Sequence, residues 1–195
     1  MLFIFDMGGV VTNTFDITKV SQKLGISNDL FWKICKNGYE NFWDEYQKGF
    51  IQTIDFWKKF NIYSKEYQIP EVKHDLFHLE FHPSKKTGTV DLILKLKKKH
   101  RVVCGTNTIE SHYDNHLERG DYLFFNKTYA SNKIQAIKPN LDFFELILDA
   151  EGYSPQESFF VDDKIENVNA AKSLGINAVL FESEEDLISK WEKYC

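Results

Sequence analysis

The sequence predicts an α/β fold, in which helices cover both faces of a parallel sheet and a helical segment is inserted after the first strand. Four short apolar runs have the length and residue types of buried strands: Leu2–Phe5, Arg101–Gly105, Ser158–Val161 and Asn177–Phe181. Amphipathic segments lie between the later runs. The stretch from Thr14 to Thr87 breaks this rhythm, because it is rich in Phe, Tyr and Trp at three- and four-residue spacing.

Two helices of the predicted sheet layer carry clear stop signals. Leu141–Glu151 has apolar residues at helical spacing and is followed by Gly152, and Ile165–Leu174 is followed in the same way by Gly175. Glycine at these positions suits the left-handed conformation that ends many helices. The alternation of strands and helices predicts right-handed crossovers in one sheet.

The aromatic-rich stretch is predicted to be a small helical unit. Ser27 and Thr53 have the position and chemistry of helix N-caps, and three residues mark breaks between helices: Gly25, Gly38 and Pro70. The aromatic side chains are predicted to form the core of a helix bundle rather than a ligand cage. The predicted division is therefore an α/β core of residues 1–13 and 88–195 with a helical cap of residues 14–87.

The composition bounds the class of protein. The chain has 195 residues and a net charge of −5, which disfavours nucleic acid and anionic membranes as partners. No apolar run approaches the roughly 20 residues of a membrane-spanning helix. The three cysteines have no CxxC spacing, which disfavours a disulfide framework or a cysteine zinc site. We expect a soluble cytoplasmic protein, and the composition names no protein partner.

Polar side chains cluster where the predicted strands end. Ligands of open parallel sheets bind at that edge, and these residues are predicted to meet there: Asp6, Thr106, Asn107, Lys138, Asp162 and Asp163. Three carboxylates need a cation or raised pKa values to lie together at neutral pH. Mg²⁺ suits such oxygen ligands, a lysine and a hydroxyl suit phosphate oxygens, and an aspartate beside glycines suits nucleophilic attack on phosphorus.

Four motifs carry a specific resemblance. FIFDMGGVV, VVCGTNT, KP and FFVDDKIENVNAAKSLGI occur in that order between residues 3 and 176. This set resembles the haloacid dehalogenase superfamily, and within it phosphatases of the glucose-1-phosphate phosphatase type. The resemblance implies a Rossmann-like core with a small helical cap and a phosphatase acting on a small phosphorylated metabolite, with a sugar phosphate as the first candidate.

The resemblance also implies a role for each motif residue. Asp6 would attack phosphorus and form a phospho-aspartate that water then cleaves. Mg²⁺ would be held by Asp6, the carbonyl oxygen of Gly8 and Asp163, with Asp162 assisting directly or through water. The phosphoryl oxygens would be held by Thr106, Asn107 and Lys138.

Gly8 departs from the family pattern. Most phosphatases of this superfamily have a second aspartate at this position, which protonates the leaving group and later activates water. Its loss removes general acid–base catalysis, typically a factor of about 10²–10⁴. Two interpretations remain open. The substrate has an acidic leaving group, such as the anomeric hydroxyl of a sugar 1-phosphate, or the protein is a weak or silent relative that binds a phosphorylated ligand or a partner.

Two other classes fit less well. A phospho-receiver domain also uses a phosphorylated aspartate, but there the acidic pair comes first, whereas here the lone Asp6 comes first and the pair comes last. A dinucleotide-binding oxidoreductase would need GxGxxG, which Gly8 and Gly9 do not form.

Histidines recur at four-residue spacing, in two groups: His74, His78 and His82, and then His112 and His116. Residues four apart share one helix face and can bind zinc. No carboxylate or cysteine completes a ligand set at a recognisable spacing, so we expect these rings to lie on solvated helix faces.

Overall fold

The computed structural model describes residues 1–195 and contains one sheet of five parallel strands in the order β3-β2-β1-β4-β5. The strands are β1 (Leu2–Phe5), β2 (Arg101–Thr106), β3 (Lys127–Ala130), β4 (Ser158–Asp162) and β5 (Asn177–Leu180). Every neighbouring pair is parallel. The predicted α/β fold with a parallel sheet is therefore confirmed.

Strand β3 was not predicted. Its sequence, KTYA, has no apolar run, and its first residue, Lys127, is exposed at the edge of the sheet. Two strands also extend one residue beyond the predicted ends, so Thr106 and Asp162 are the last residues of β2 and β4. Strand β5 ends one residue earlier, at Leu180.

Helices cover both faces of the sheet. Strand β1 is buried on both sides, with Phe3 and Phe5 facing one apolar layer and Leu2 and Ile4 facing the other. The first layer contains α6 (Thr87–Leu96) and α11 (Glu184–Trp191), and the second contains α9 (Leu141–Glu151) and α10 (Ile165–Ser173). The predicted end of α9 at Gly152, with a φ of 71°, is confirmed.

Five helices lie between β1 and α6: α1 (Thr18–Leu24), α2 (Asn28–Cys35), α3 (Phe42–Gln47), α4 (Thr53–Ser64) and α5 (Leu76–Glu80). They enclose a third apolar cluster, in which Phe56 and Phe77 pack against each other and other rings, with 5.1 Å between their centroids. Most of these aromatic residues therefore form a hydrophobic core, as predicted. Phe15, Trp32, Trp43 and Phe81 differ from that prediction, because they also line a cavity. The two connections to the sheet layer run side by side, since Asn13 N–H donates to the Ser84 carbonyl at 3.0 Å.

Of the two predicted helix N-caps, one is confirmed and one is wrong. Ser27 caps α2 and accepts a hydrogen bond from the Leu30 N–H at 3.1 Å. The prediction for Thr53 is wrong, because α4 begins at this residue. Its N–H and hydroxyl instead donate to the Glu110 carboxylate, at 2.7 and 2.8 Å.

Further contacts join the helical segment to the layer around β2 and β3. They involve α7 (Glu110–Glu118) and α8 (Ser131–Ile134). Tyr46 Oη lies 2.6 Å from Ser111 Oγ, and Ser131 Oγ donates to the Gln47 carbonyl at 2.7 Å. Gly49 has a φ of 71°, and a Cβ there would overlap the Asn132 carbonyl, so only glycine permits this approach. None of the helices is both long and apolar enough to cross a bilayer.

Candidate active site

Three aspartates meet at the carboxyl end of the sheet. Asp6 follows β1, Asp162 ends β4 and Asp163 comes next. Because β1 and β4 are neighbours, the three side chains converge, and one carboxylate oxygen of each lies within 4.8 Å of the others.

Lys138 pairs with two of the three aspartates. Its Nζ is 2.8 Å from Asp6 Oδ1 and 2.6 Å from Asp162 Oδ2, and it donates to the Gly105 carbonyl at 2.9 Å. The side chain is buried, so these contacts replace water as its partners. The ammonium group therefore neutralises part of the negative charge that the three aspartates bring together.

Burial and charge act in opposite directions on this pair. Burial raises the pKa of Asp6 to about 6, although the Lys138 charge opposes the rise. Burial alone would lower the pKa of Lys138, but the charges of Asp6 and Asp162 outweigh it and raise that pKa above its ordinary value. Lys138 is therefore charged at neutral pH.

Replacing Lys138 by methionine is expected to lower the free energy of unfolding by about 3–5 kcal/mol, because Asp6 and Asp162 would remain buried without their cation. Urea denaturation at neutral pH in EDTA measures this. Lys190→Met is the matched control, since the Lys190–Asp186 pair is partly exposed and contributes less than about 1 kcal/mol. Equal losses in the two variants would contradict the central role of Lys138.

Asp162 and Asp163 have different surroundings. Asp162 is fully buried, its Oδ2 takes the Lys138 contact, and its Oδ1 accepts from the Lys164 N–H at 2.9 Å and Asn167 Nδ2 at 3.0 Å. The buried Oδ1 of Asp163 has no hydrogen-bond partner. Burial, followed by the charge of Asp162, raises the pKa of Asp163 above its ordinary value. A divalent cation fits this donor set, since it would satisfy the Asp163 oxygen.

The Asn107 side chain binds protein backbone. Its Nδ2 donates to the Lys138 carbonyl at 2.8 Å, and its Oδ1 accepts from the Lys138 N–H at 2.9 Å. Asn107, predicted from sequence to hold phosphoryl oxygens, lines the cavity at this end of the sheet, and both ends of its side-chain amide bind the Lys138 backbone. Thr106 ends the neighbouring strand, and its side chain lines the adjoining cavity.

The two glycines after Asp6 differ in the space around them. A Cβ added at Gly8 would meet no atom within 4 Å. Gly9 has a φ of 86°, and a Cβ there would overlap the Asp163 carboxylate. Glycine is therefore required at position 9 by backbone and packing, whereas position 8 has room for a side chain.

The cluster opens into a cavity of about 420 Å³. Asp6, Gly8, Thr106, Lys138 and Asp163 form one end of its lining. The helical segment contributes apolar and polar side chains to the remaining walls: Phe15, Ile17, Trp32, Trp43, Gln47 and Phe81. The volume is in the range of small-molecule sites, and its wall comes from both the sheet layer and the inserted helices.

The prediction that the histidines lie on solvated helix faces is wrong for two of them. His112 and His116 are only 8% and 4% exposed, and both line the cavity. His74 and His82 are exposed and lie outside α5, so they share no helix face with His78. The sequence of α7 is mostly polar, so it predicted a solvated helix rather than buried histidines. Its position directly after the site strand β2 is the signal that could have indicated it.

The family is shown by sequence. The profile of the haloacid dehalogenase-like hydrolases matches residues 3–181, which is most of the chain. The chain therefore belongs to the haloacid dehalogenase-like hydrolase family. D-ribitol-5-phosphate phosphatase of Bacteroides thetaiotaomicron is 26% identical over 196 residues, covering 94% of this chain and 92% of the relative. Drimenol cyclase of Aspergillus calidoustus is 27% identical over 76% of this chain, which spans only 29% of the cyclase.

Solved structures of the family share the fold. A haloacid dehalogenase family enzyme from Bacteroides thetaiotaomicron superposes with a TM-score of 0.79 at 23% identity, covering 96% of each chain. The same enzyme in complex with magnesium and inorganic phosphate gives 0.74 at 22% identity, covering 95% of this chain and 98% of the other. A predicted hydrolase of this family from Porphyromonas gingivalis gives 0.78 at 22% identity, covering 97% and 96%.

Proposed function

We propose that this protein is a Mg²⁺-dependent phosphatase that cleaves a small sugar or polyol phosphate through an aspartyl-phosphate intermediate. The observation that carries the proposal is the position of Asp6, which pairs with Lys138 and has a carboxylate oxygen within 4.8 Å of one of Asp163, in the lining of a small-molecule cavity. The family membership and the ribitol-5-phosphate phosphatase relative support it.

Two displacements at phosphorus make up the proposed reaction. An Asp6 carboxylate oxygen bonds to phosphorus while the bond to the ester oxygen breaks, and the leaving alkoxide takes up a proton. Water then attacks the phosphorus of the phospho-aspartate, loses a proton, and releases inorganic phosphate while Asp6 is regenerated. Asp6 has the buried, ion-paired position that orients a carboxylate for attack.

The residues around Asp6 would bind the phosphoryl group or support the residues that bind it. Lys138 and the Thr106 hydroxyl would bind phosphoryl oxygens and stabilise the transition state. Asn107 would act indirectly, because its amide fixes the backbone that presents Lys138. Mg²⁺, when bound by Asp6, the Gly8 carbonyl and Asp163, would supply further positive charge. Asp162 would support this site through Lys138, since its oxygens are already engaged.

The helical segment has a second proposed role, as a cap. Its residues 14–87 would form one unit over the core of residues 1–13 and 88–195, because the cavity wall is shared between them. Closure of such a cap would exclude water during phosphoryl transfer.

Phosphate release from a panel of esters tests the proposed function. The panel pairs sugar 1-phosphates with the matching 6-phosphates and adds D-ribitol 5-phosphate and p-nitrophenyl phosphate, each with Mg²⁺ and with EDTA. We expect Mg²⁺-dependent release, favouring 1-phosphates if the acidity of the leaving group compensates for Gly8. Equal rates on the sugar 1-phosphate and the matching 6-phosphate would show that leaving-group acidity does not compensate for the missing acid at Gly8. Release from none would favour the alternative, a silent protein that binds a phosphorylated ligand.

Asp163→Ala is expected to weaken the Mg²⁺ dependence, raising the Mg²⁺ concentration for half-maximal activity by at least about tenfold, because a direct carboxylate ligand is lost. Glu166→Ala is the control, since Glu166 is an exposed acid three residues away and outside the carboxylate cluster. An unchanged Mg²⁺ titration in Asp163→Ala would show that the metal assignment is wrong.

A further inference from the structure

Two buried imidazoles line the cavity beyond the phosphoryl end. His112 lies in the first turn of α7, which begins shortly after Thr106 and Asn107. His116 follows one turn later on the same helix face, about 6 Å further along the axis. Both residues line the same cavity as Thr106 and Asn107.

His116 is held in one tautomer. Its Nδ1 lies 2.9 Å from the Oδ2 of Asp121, whose fully buried carboxylate also pairs with Lys85 and Arg119. A carboxylate can only accept, so Nδ1 is the donor. Burial lowers the pKa of His116, although Asp121 opposes the change. In the neutral ring, Nε2 is left as an acceptor.

His112 is fixed by packing and lacks a polar partner. Phe81 stacks on its ring with a centroid distance of 3.9 Å, and Phe15 packs against it in a T-shaped arrangement with a centroid distance of 4.4 Å. Its Nε2 is buried and makes no hydrogen bond with the protein. An unsatisfied buried polar atom is costly. His112 lines the cavity, so a ligand bound there is the candidate for the missing partner.

We propose that His112 and His116 are specificity-determining residues that bind hydroxyl groups of the substrate's leaving group. This inference rests on the proposed phosphatase function. Nε2 of His116 can accept a hydrogen bond from a hydroxyl, and Nε2 of His112 can donate or accept one according to its tautomer. Burial lowers the pKa of His112 to about 3, so the ring carries no charge for a second phosphate. Asp16 also lines the cavity and would repel a second anion. The cations in the lining are Lys138, which pairs with Asp6, and Lys164, which directly follows Asp163.

The apolar walls complete the match. Trp32, Trp43 and Phe81 line the cavity from the helical segment. A hydroxylated carbon chain with a single phosphate offers C–H groups to these rings and hydroxyls to the imidazoles. The substrate class inferred is therefore a monophosphorylated polyol or sugar.

The test is the ratio of kcat/KM for two esters in one protein preparation. The first is the hydroxylated ester of the panel that the wild type cleaves fastest, and the second is p-nitrophenyl phosphate, whose leaving group has no aliphatic hydroxyl. A ratio cancels any loss of folded protein. In His112→Phe, which keeps a ring against Phe81, we expect the ratio to fall about five- to tenfold, as for one lost hydrogen bond. His116→Phe should lower it similarly.

His74→Phe is the matched control, because His74 is exposed and lies outside the cavity. Its ratio should equal that of the wild type. An unchanged ratio in both His112→Phe and His116→Phe would overturn the inference while leaving the phosphatase intact. Wild-type cleavage of p-nitrophenyl phosphate without cleavage of any hydroxylated ester would also overturn it. Release from neither ester would instead reject the proposed function itself.

Discussion

Asp6→Asn is expected to lower kcat by about a thousandfold or more on every ester that the wild type cleaves. The amide that replaces the carboxylate is neutral and is a poor nucleophile toward phosphorus. The fold should survive, because Lys138 keeps its 2.6 Å contact with Asp162. The loss should therefore appear in turnover rather than in stability.

Steady-state phosphate release and thermal unfolding, measured on the same preparations, separate these effects. Asp149→Asn is the control, since Asp149 is exposed on α9 and far from the carboxylate cluster. It should match the wild type in both measurements. Turnover by Asp6→Asn within tenfold of the wild type would exclude Asp6 as the nucleophile.

Gly8→Asp is expected to increase activity on esters with poor leaving groups. The resemblance to phosphatases with an aspartate at this position implies that the missing side chain is a general acid and base. The structure has room for its side chain, since a Cβ at Gly8 meets no atom within 4 Å and the residue lines the cavity. We expect kcat/KM for a sugar 6-phosphate to rise by about 10²-fold, within the usual range of general acid–base catalysis.

The choice of substrate and a neighbouring variant provide the controls. p-Nitrophenyl phosphate has an acidic leaving group that needs little protonation, so Gly8→Asp should change its rate far less. Gly9→Asp adds the same side chain one residue later, where it would overlap the Asp163 carboxylate at a φ of 86°. It should lower activity on both esters. A uniform gain on both in Gly8→Asp would contradict a proton-transfer role.

Three of the four strands predicted from sequence are buried on both faces, and the fourth, β5, is an edge strand whose last three residues are apolar. β1 is continuous apolar sequence because both of its faces contact helices, and the same holds for much of β2 and β4. β3 carries no such pattern, since an edge strand with an exposed Lys127 needs little apolar surface. Thr53 shows a second limit. Its hydroxyl binds Glu110, 57 residues away, and no local pattern indicates that partner.

Residue types predicted the cluster of charges but not its internal connections. The sequence alone does not distinguish the roles of adjacent aspartates such as Asp162 and Asp163. Only the structure separates the fully hydrogen-bonded Asp162 from Asp163, whose Oδ1 has no partner. Similarly, the Asn107 amide binds the Lys138 backbone, a contact between distant segments. His112 is buried because the helical segment packs over α7, where Phe81 stacks on its ring. The pattern of polar and apolar residues within α7 does not predict that contact.

The central claim is that phosphoryl transfer passes through Asp6 in two displacements. Stereochemistry at phosphorus tests it most directly. The substrate is a phosphorothioate ester made chiral with two oxygen isotopes, hydrolysed in water of the third isotope. Each in-line displacement inverts phosphorus, so attack by Asp6 followed by attack by water predicts overall retention of configuration. Overall inversion would show that water attacks the ester in a single step, and would contradict the aspartyl-phosphate mechanism.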